Sequence, residues 1–230
     1  MKTIGLIGGM SWESTVPYYR VINETIRARL GGLHSAKLVL YSVDFQEIEQ
    51  LQRSGQWEVA GERLGQAGRS LARAGADFLV LCTNTMHKVA PAIESAARLP
   101  LLHIADATAA EVLAAGHRKV GLLGTRFTME HDFYRQRLVD AHGLQVLIPD
   151  DDDRGIVHRV IYDELCCGLV LDQSRKEYRR IIAGLVEQGA EAVILGCTEI
   201  SLLAGVADSS VPLFDTTAIH ARKAAEYSLL

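Results

Sequence analysis

Residues 74–85, AGADFLVLCTNT, and residues 188–199, QGAEAVILGCTE, say nearly the same thing twice. Each opens on a glycine turn (Gly75, Gly189), continues through an apolar strand-like run and ends on small polar residues. Two further echoes flank them in the same order. Ile4-GLIGG returns as Val120-GLLGT, and Leu99-PLLHIAD returns as Val211-PLFDTT. The three spacings, Ile4 to Val120, Ala74 to Gln188 and Leu99 to Val211, differ by only a few residues. That constancy describes one duplicated unit.

Around the echoes, short runs rich in Val, Ile and Leu alternate with longer amphipathic segments. TIGLIG, AKLVLYS, DFLVLC, PLLHIA, KVGLLG, LQVLIP, EAVILG and VPLFD read as strands, while PYYRVINETIRARL and RKEYRRIIAGLVEQG read as helices. Unbroken apolar strands separated by helical patterns predict parallel sheets covered on both faces, the α/β class. The duplication predicts two similar domains related by a pseudo-twofold axis, 1–99 plus 211–230 and 100–210, with the last helix returning to the first. Ligands of open α/β sheets bind beyond the carboxyl ends of strands. GLIGGMS, LCTNT, GLLGTRF and LGCTE all lie at such ends, and two facing domains would gather them around one cleft.

Aligned without a gap, the central echo sets Cys82 against Gly196, Thr83 against Cys197, Asn84 against Thr198 and Thr85 against Glu199. Neighbours on a strand point to opposite faces. Cys82 therefore belongs to the core, and Thr83 holds the place that Cys197 holds in the other half. Cys197 is expected where a strand ends and a helix begins. There the helix N-terminus would stabilise a thiolate and lower the thiol pKa from about 8.5.

Composition excludes several classes. The chain has 230 residues and a net charge of −4, with no basic patch dense enough for nucleic acid. MKTIGLIGG runs straight into a strand pattern without signal-peptide architecture, and no apolar run is long enough for a membrane helix. Cys82, Cys166, Cys167 and Cys197 form no CxxC pair and no zinc spacing, so no metal is expected and the thiols suit the cytoplasm. GLIGGMS lacks the GxGxxG pattern and its acidic partner, and no lysine sits in a pyridoxal motif, so no cofactor is expected. Its amides could bind an anion, or it could be only a tight strand-to-helix turn. Pro149-DDDDRG reads as a solvated loop, and His87 as a group that caps or orients its own segment, with assistance to a proton transfer as the other reading.

The opening GLIGGMSWEST, the middle TNTMHK and the closing GCTEI together resemble the cofactor-independent aspartate/glutamate racemase family, the L-aspartate/glutamate-specific type in particular. The resemblance spans nearly the whole chain. It implies two Rossmann-like domains, a homodimer, and an amino acid whose α-carbon lies between two proton carriers. Relatives supply a cysteine from each half. Here the first triplet is Thr83-Asn84-Thr85, so the resemblance implies an unequal pair, with Cys197 as base, Thr83 as donor, and L to D favoured in initial rate. It further implies substrate contacts from Met10 and the Gly9 amide, Asn84, Thr85, Thr125, Thr198 and Glu199. An arginine that grips the side-chain carboxylate in relatives aligns with Gln52 rather than Arg53, and a lysine aligns with Cys166, which implies a broader amino-acid range. Two other readings stay open on the residues: a single-cysteine decarboxylase of malonates, and a non-catalytic amino-acid-binding protein.

Overall fold

The computed structural model describes residues 1–230. The chain divides into two compact units, residues 1–104 with 220–230, and residues 105–219. The first contains β1 (Ile4–Gly8), α1 (Trp12–Leu30), β2 (Leu38–Ser42), α2 (Phe45–Arg53), α3 (Trp57–Arg73), β3 (Phe78–Leu81), α4 (Ala90–Ala97) and β4 (Leu101–Leu102). From Ile104 the chain continues through α5 (Ile104–Ala114), β5 (Lys119–Gly124), α6 (Arg126–Glu130), α7 (Asp132–His142), β6 (Gln145–Leu147) and α8 (Asp151–Asp163). Then follow α9 (Asp172–Glu187), β7 (Ala192–Gly196), α10 (Ile200–Leu203), β8 (Leu213–Asp215) and α11 (Thr216–Ser228). No helix is long and apolar enough to cross a membrane.

Each unit holds a four-stranded, wholly parallel sheet, in the order β2-β1-β3-β4 and β6-β5-β7-β8. The two orders are the same, and so are the registers. Ile4 pairs with Phe78 as Val120 pairs with Ala192, and Leu79 pairs with Leu101 as Val193 pairs with Leu213. Single hydrogen bonds repeat as well. The Leu79 amide donates to the Pro100 carbonyl at 2.8 Å, and the Val193 amide donates to Pro212 at 2.9 Å. Asp77 accepts from the Thr3 amide at 2.6 Å, while Glu191 accepts from Arg118 at 2.7 Å. A composition effect would not reproduce ladder register and side-chain bonds; a duplication does.

The crossings between units come later than the boundaries expected at 100 and 211. β4 is hydrogen-bonded to β3, and β8 to β7. Each short strand completes the sheet before it, and only then does the chain leave. α11 accordingly begins in the second unit and enters the first at His220.

Alternation along β3 sorts its residues between two cores. Phe78, Val80 and Cys82 pack with Ile4 and Leu6 against Tyr18, Ile22 and Ile26 of α1 and the alanines of α11. Leu79 and Leu81 pack with Ile7 against Ile48, Leu64, Leu71 and Ile93 from α2, α3 and α4. Cys82 is fully buried in the first set, where desolvation pushes its thiol pKa far up. It is a core residue.

The acidic run after Pro149 is not a loop. Asp150 accepts the Asp153 amide at 2.9 Å and caps α8, whose first turn carries Asp151, Asp152 and Asp153. Carboxylates offset the partial positive charge of exposed amides at a helix start, so the sequence is an N-terminal signal.

Candidate active site

Cys197 follows directly on β7 and is buried. Its thiol donates to Glu199 Oε2 at 3.0 Å, and the Thr198 hydroxyl donates to the same oxygen at 2.6 Å. A buried carboxylate thus accepts hydrogen bonds from both of the residues that precede it. The helix beyond, α10, has only one turn and starts after Glu199, so the expected dipole stabilisation of a thiolate is not what governs this site. Burial pushes the Cys197 thiol well above its ordinary pKa, and the charge of Glu199 and the neighbouring Cys166 push the same way. The expectation of a lowered pKa is corrected: burial and the charge of Glu199 push the thiol up, and Glu199 accepts its hydrogen bond.

Thr83 occupies the matching place in the first unit. Ile7 pairs with Leu81, as Leu123 pairs with Leu195, so the second residue beyond each partner is Thr83 in one sheet and Cys197 in the other. Thr83, Asn84 and Thr85 are all buried, and Thr85 begins a 3-10 turn that ends at Val89. His87 on that turn has both ring nitrogens engaged. Nδ1 lies 2.8 Å from the Thr83 carbonyl, which can only accept, and Nε2 receives the Ile104 amide at 3.2 Å. The ring is therefore the neutral Nδ1–H tautomer, with no nitrogen left for acid–base work.

The glycine-rich turn behaves as a packing device. The Gly9 amide donates to Thr15 Oγ1 at 2.8 Å, and the same hydroxyl donates to the Ser11 carbonyl at 2.9 Å. Gly9 has φ of +92°, and a Cβ there would sit 2.3 Å from the Val43 carbonyl oxygen. The amide expected to hold a carboxylate is already occupied. Met10 is buried in the core with Ile7 and Ile48, so any substrate contact it makes comes from its backbone. Thr125 is the cap of α6, where its hydroxyl accepts the Thr128 amide at 3.3 Å.

Gln52 and Arg53 part company on α2. Gln52 is buried and donates from Nε2 to the Met86 sulfur at 2.9 Å. Arg53 is 79% exposed and pairs with Glu49 at 2.8 Å. Sequence reading missed Thr15, His103 and His220. The first had a local signal, a Ser/Thr pair at a helix start; the histidines lie too far apart in sequence to be associated. No cluster of three His, Cys, Asp or Glu side chains is arranged to hold a metal ion.

The structure is thus a duplicated parallel α/β protein with a hydroxyl and a carboxylate-bound thiol at equivalent register positions of its two sheets. The chain belongs to the Asp/Glu/Hydantoin racemase family, whose model matches residues 7–224. It is similar to a Yersinia pestis protein provisionally named an Asp/Glu racemase, 60% identical over the whole of both chains with a TM-score of 0.93. An aspartate racemase homologue from Pyrococcus horikoshii is 38% identical over the whole of both chains, with a TM-score of 0.85. Glutamate racemase of Pseudomonas aeruginosa is 29% identical over 218 residues, 92% of this chain and 78% of that one. The protein is an isomerase, an amino-acid racemase.

Proposed function

We propose that the protein interconverts the enantiomers of aspartate and glutamate without a cofactor, through an unequal pair of proton carriers. Cys197 removes the α-proton of the L-isomer and Thr83 delivers a proton to the opposite face. The observation that carries this reading is the shared register position of the two residues. Racemisation needs two opposed carriers, because a single base that returns its own proton regenerates the starting enantiomer.

The steps follow from the polar contacts. The Cys197 proton passes along its hydrogen bond to Glu199, leaving a thiolate and a neutral carboxyl group. The thiolate takes the α-proton, and the electron pair of the Cα–H bond remains on carbon, stabilised by the substrate carboxylate. Thr83 gives its hydroxyl proton to the other face; water reprotonates it, and the hydroxide so formed takes the proton held on Glu199, which returns the carboxylate to its starting state. A hydroxyl is a far weaker acid than a thiol, so it can donate or relay a proton but does not readily become the base. L to D is thus the favoured direction. Asn84, Thr85 and Thr198, with the backbone at Met10 and Thr125, hold the α-carboxylate and ammonium groups. Gln52 meets the substrate side chain. An uncharged amide there, with Arg53 turned to Glu49, supports a range broader than acidic amino acids.

We assign the working form to a homodimer in the cytoplasm. Trp12, Val16 and Tyr19 form an exposed apolar stripe along α1, spaced to share one helix face, and a second copy would cover it.

The test is incubation in D₂O with L-aspartate, L-glutamate and other L-amino acids, following α-deuteration and chirality. Deuterium uptake with D-isomer formation supports the reading. Release of CO₂ from substituted malonates would make the protein a decarboxylase, and binding without exchange would make it a binding protein. Cys197→Ala abolishes exchange, whereas Cys82→Ala retains it in the folded protein.

A further inference from the structure

Three buried histidines of the first unit stand together: His87, His103 and His220. The rings of His87 and His103 are 4.5 Å apart, and those of His87 and His220 are 5.8 Å apart. Two of them make paired bonds that fix their tautomers. His87 donates from Nδ1 to the Thr83 carbonyl and accepts the Ile104 amide at Nε2. His220 lies 2.8 Å from the Leu102 carbonyl through Nε2, which must donate, and its Nδ1 accepts the Tyr18 hydroxyl at 2.8 Å.

The segments joined in this way matter. Ile104 is the last residue of the first unit before the chain crosses to the second, and His220 is the first residue after it returns. Leu102 ends β4, Tyr18 lies on α1, and Thr83 follows β3. The last bond to a neighbouring strand is that of the Cys82 amide to the Ile7 carbonyl at 2.9 Å, one residue before Thr83. The Thr83 amide donates to Leu81 two residues back, a local bond that sets no relation to the rest of the fold, and its carbonyl accepts from His87.

We infer that His87 is a positioning residue for the Thr83 half-reaction: its Nδ1–H bond to the Thr83 carbonyl ties that peptide to the 3-10 turn and so aims the hydroxyl. This rests on Thr83 being the second proton carrier. His87 touches no reacting atom. Both of its nitrogens are spent on backbone, and a misplacement of about 1 Å at a reacting group can cost on the order of 100-fold in rate.

The test separates the two half-reactions. α-Deuterium appearing in recovered L-substrate in D₂O reports proton removal and return by Cys197. D-isomer formation requires Thr83 as well. L-Aspartate and L-glutamate serve as substrates, with thermal unfolding measured for every variant. Asparagine places an N–H where Nδ1 stands, so His87→Asn keeps the bond to Thr83 and loses the acceptor for Ile104. Glutamine offers its amide one bond further out and does not reproduce that bond. His87→Gln should lower the ratio of D-isomer formation to L-exchange by about tenfold or more, and His87→Asn should restore most of it.

An unchanged ratio in folded His87→Gln overturns the inference, as does a parallel fall of both rates. Failure of both variants to fold also overturns it, because His87 would then be a core residue and nothing more. Thr83→Ala is the control. If it leaves the ratio unchanged, the role given to Thr83 fails, whatever the histidine variants do.

Discussion

At the scale of single residues, the site turns on who holds the Cys197 proton. A thiol that is buried and bonded to a carboxylate resists ionisation, so Glu199 can be read as a hindrance or as the acceptor. Glu199→Gln separates the two. Replacing the carboxylate removes both the acceptor and a charge that raises the thiol pKa. If Glu199 accepts the proton, the variant loses turnover by roughly 10²- to 10⁴-fold. Alkylation of Cys197 by iodoacetamide should meanwhile set in at lower pH, because the repelling charge is gone. Turnover that rises together with thiol reactivity would make Glu199 an inhibitor of the thiolate. The register match between Thr83 and Cys197 was readable from the repeat alone, since a gapless alignment needs no coordinates. The direction of the Cys197 pKa shift was not. It depends on burial and on the one-turn length of α10, and a GCTE motif encodes neither.

At the scale of elements, the strands were legible because parallel strands buried on both faces are written as unbroken apolar runs. The start of α8 was not, because four successive aspartates look like solvated chain until one of them is seen to cap a helix. The histidine cluster was equally hidden, since His87, His103 and His220 meet only through β4 and α11. It carries a stability prediction. Burial lowers the His220 pKa from the ordinary 6.5 to about 4, while the unfolded chain retains the ordinary value. The unfolded state then binds more protons between those two values, so stability is fully present above about pH 6.5 and lost as pH falls toward 4. His220 alone accounts for a loss of about 3 kcal/mol across that window. His220→Gln should flatten it in urea unfolding measured from pH 7 to pH 4. An unchanged slope would mean that His220 titrates alike in the folded and the unfolded protein.

At the scale of the whole molecule, the duplication explains why so much of the design could be read in advance. Two copies of one topology share sheet order, register and even the Asp77 and Glu191 bonds, so each half acts as a control for the other. Differences between the halves are then informative, and the proposed mechanism rests on one of them, Thr83 where the other half has Cys197. The exposed α1 stripe belongs to this scale too. If Trp12, Val16 and Tyr19 are covered by a second copy, Tyr19→Arg shifts the protein from dimer to monomer in sedimentation velocity with little loss of thermal stability. A wild-type monomer would sink that assignment.

The unequal pair is tested most directly by Thr83→Cys. Enantiomers have equal free energies, so kcat/KM must be the same in both directions for any variant, and asymmetry shows only in kcat at saturating substrate. Wild-type protein should give a higher kcat from L to D than from D to L. With a thiol at position 83, both faces have a carrier able to act as base, and the D-to-L kcat should rise toward the L-to-D value. A folded Thr83→Cys protein whose D-to-L kcat stays at or below the wild-type value would contradict the account.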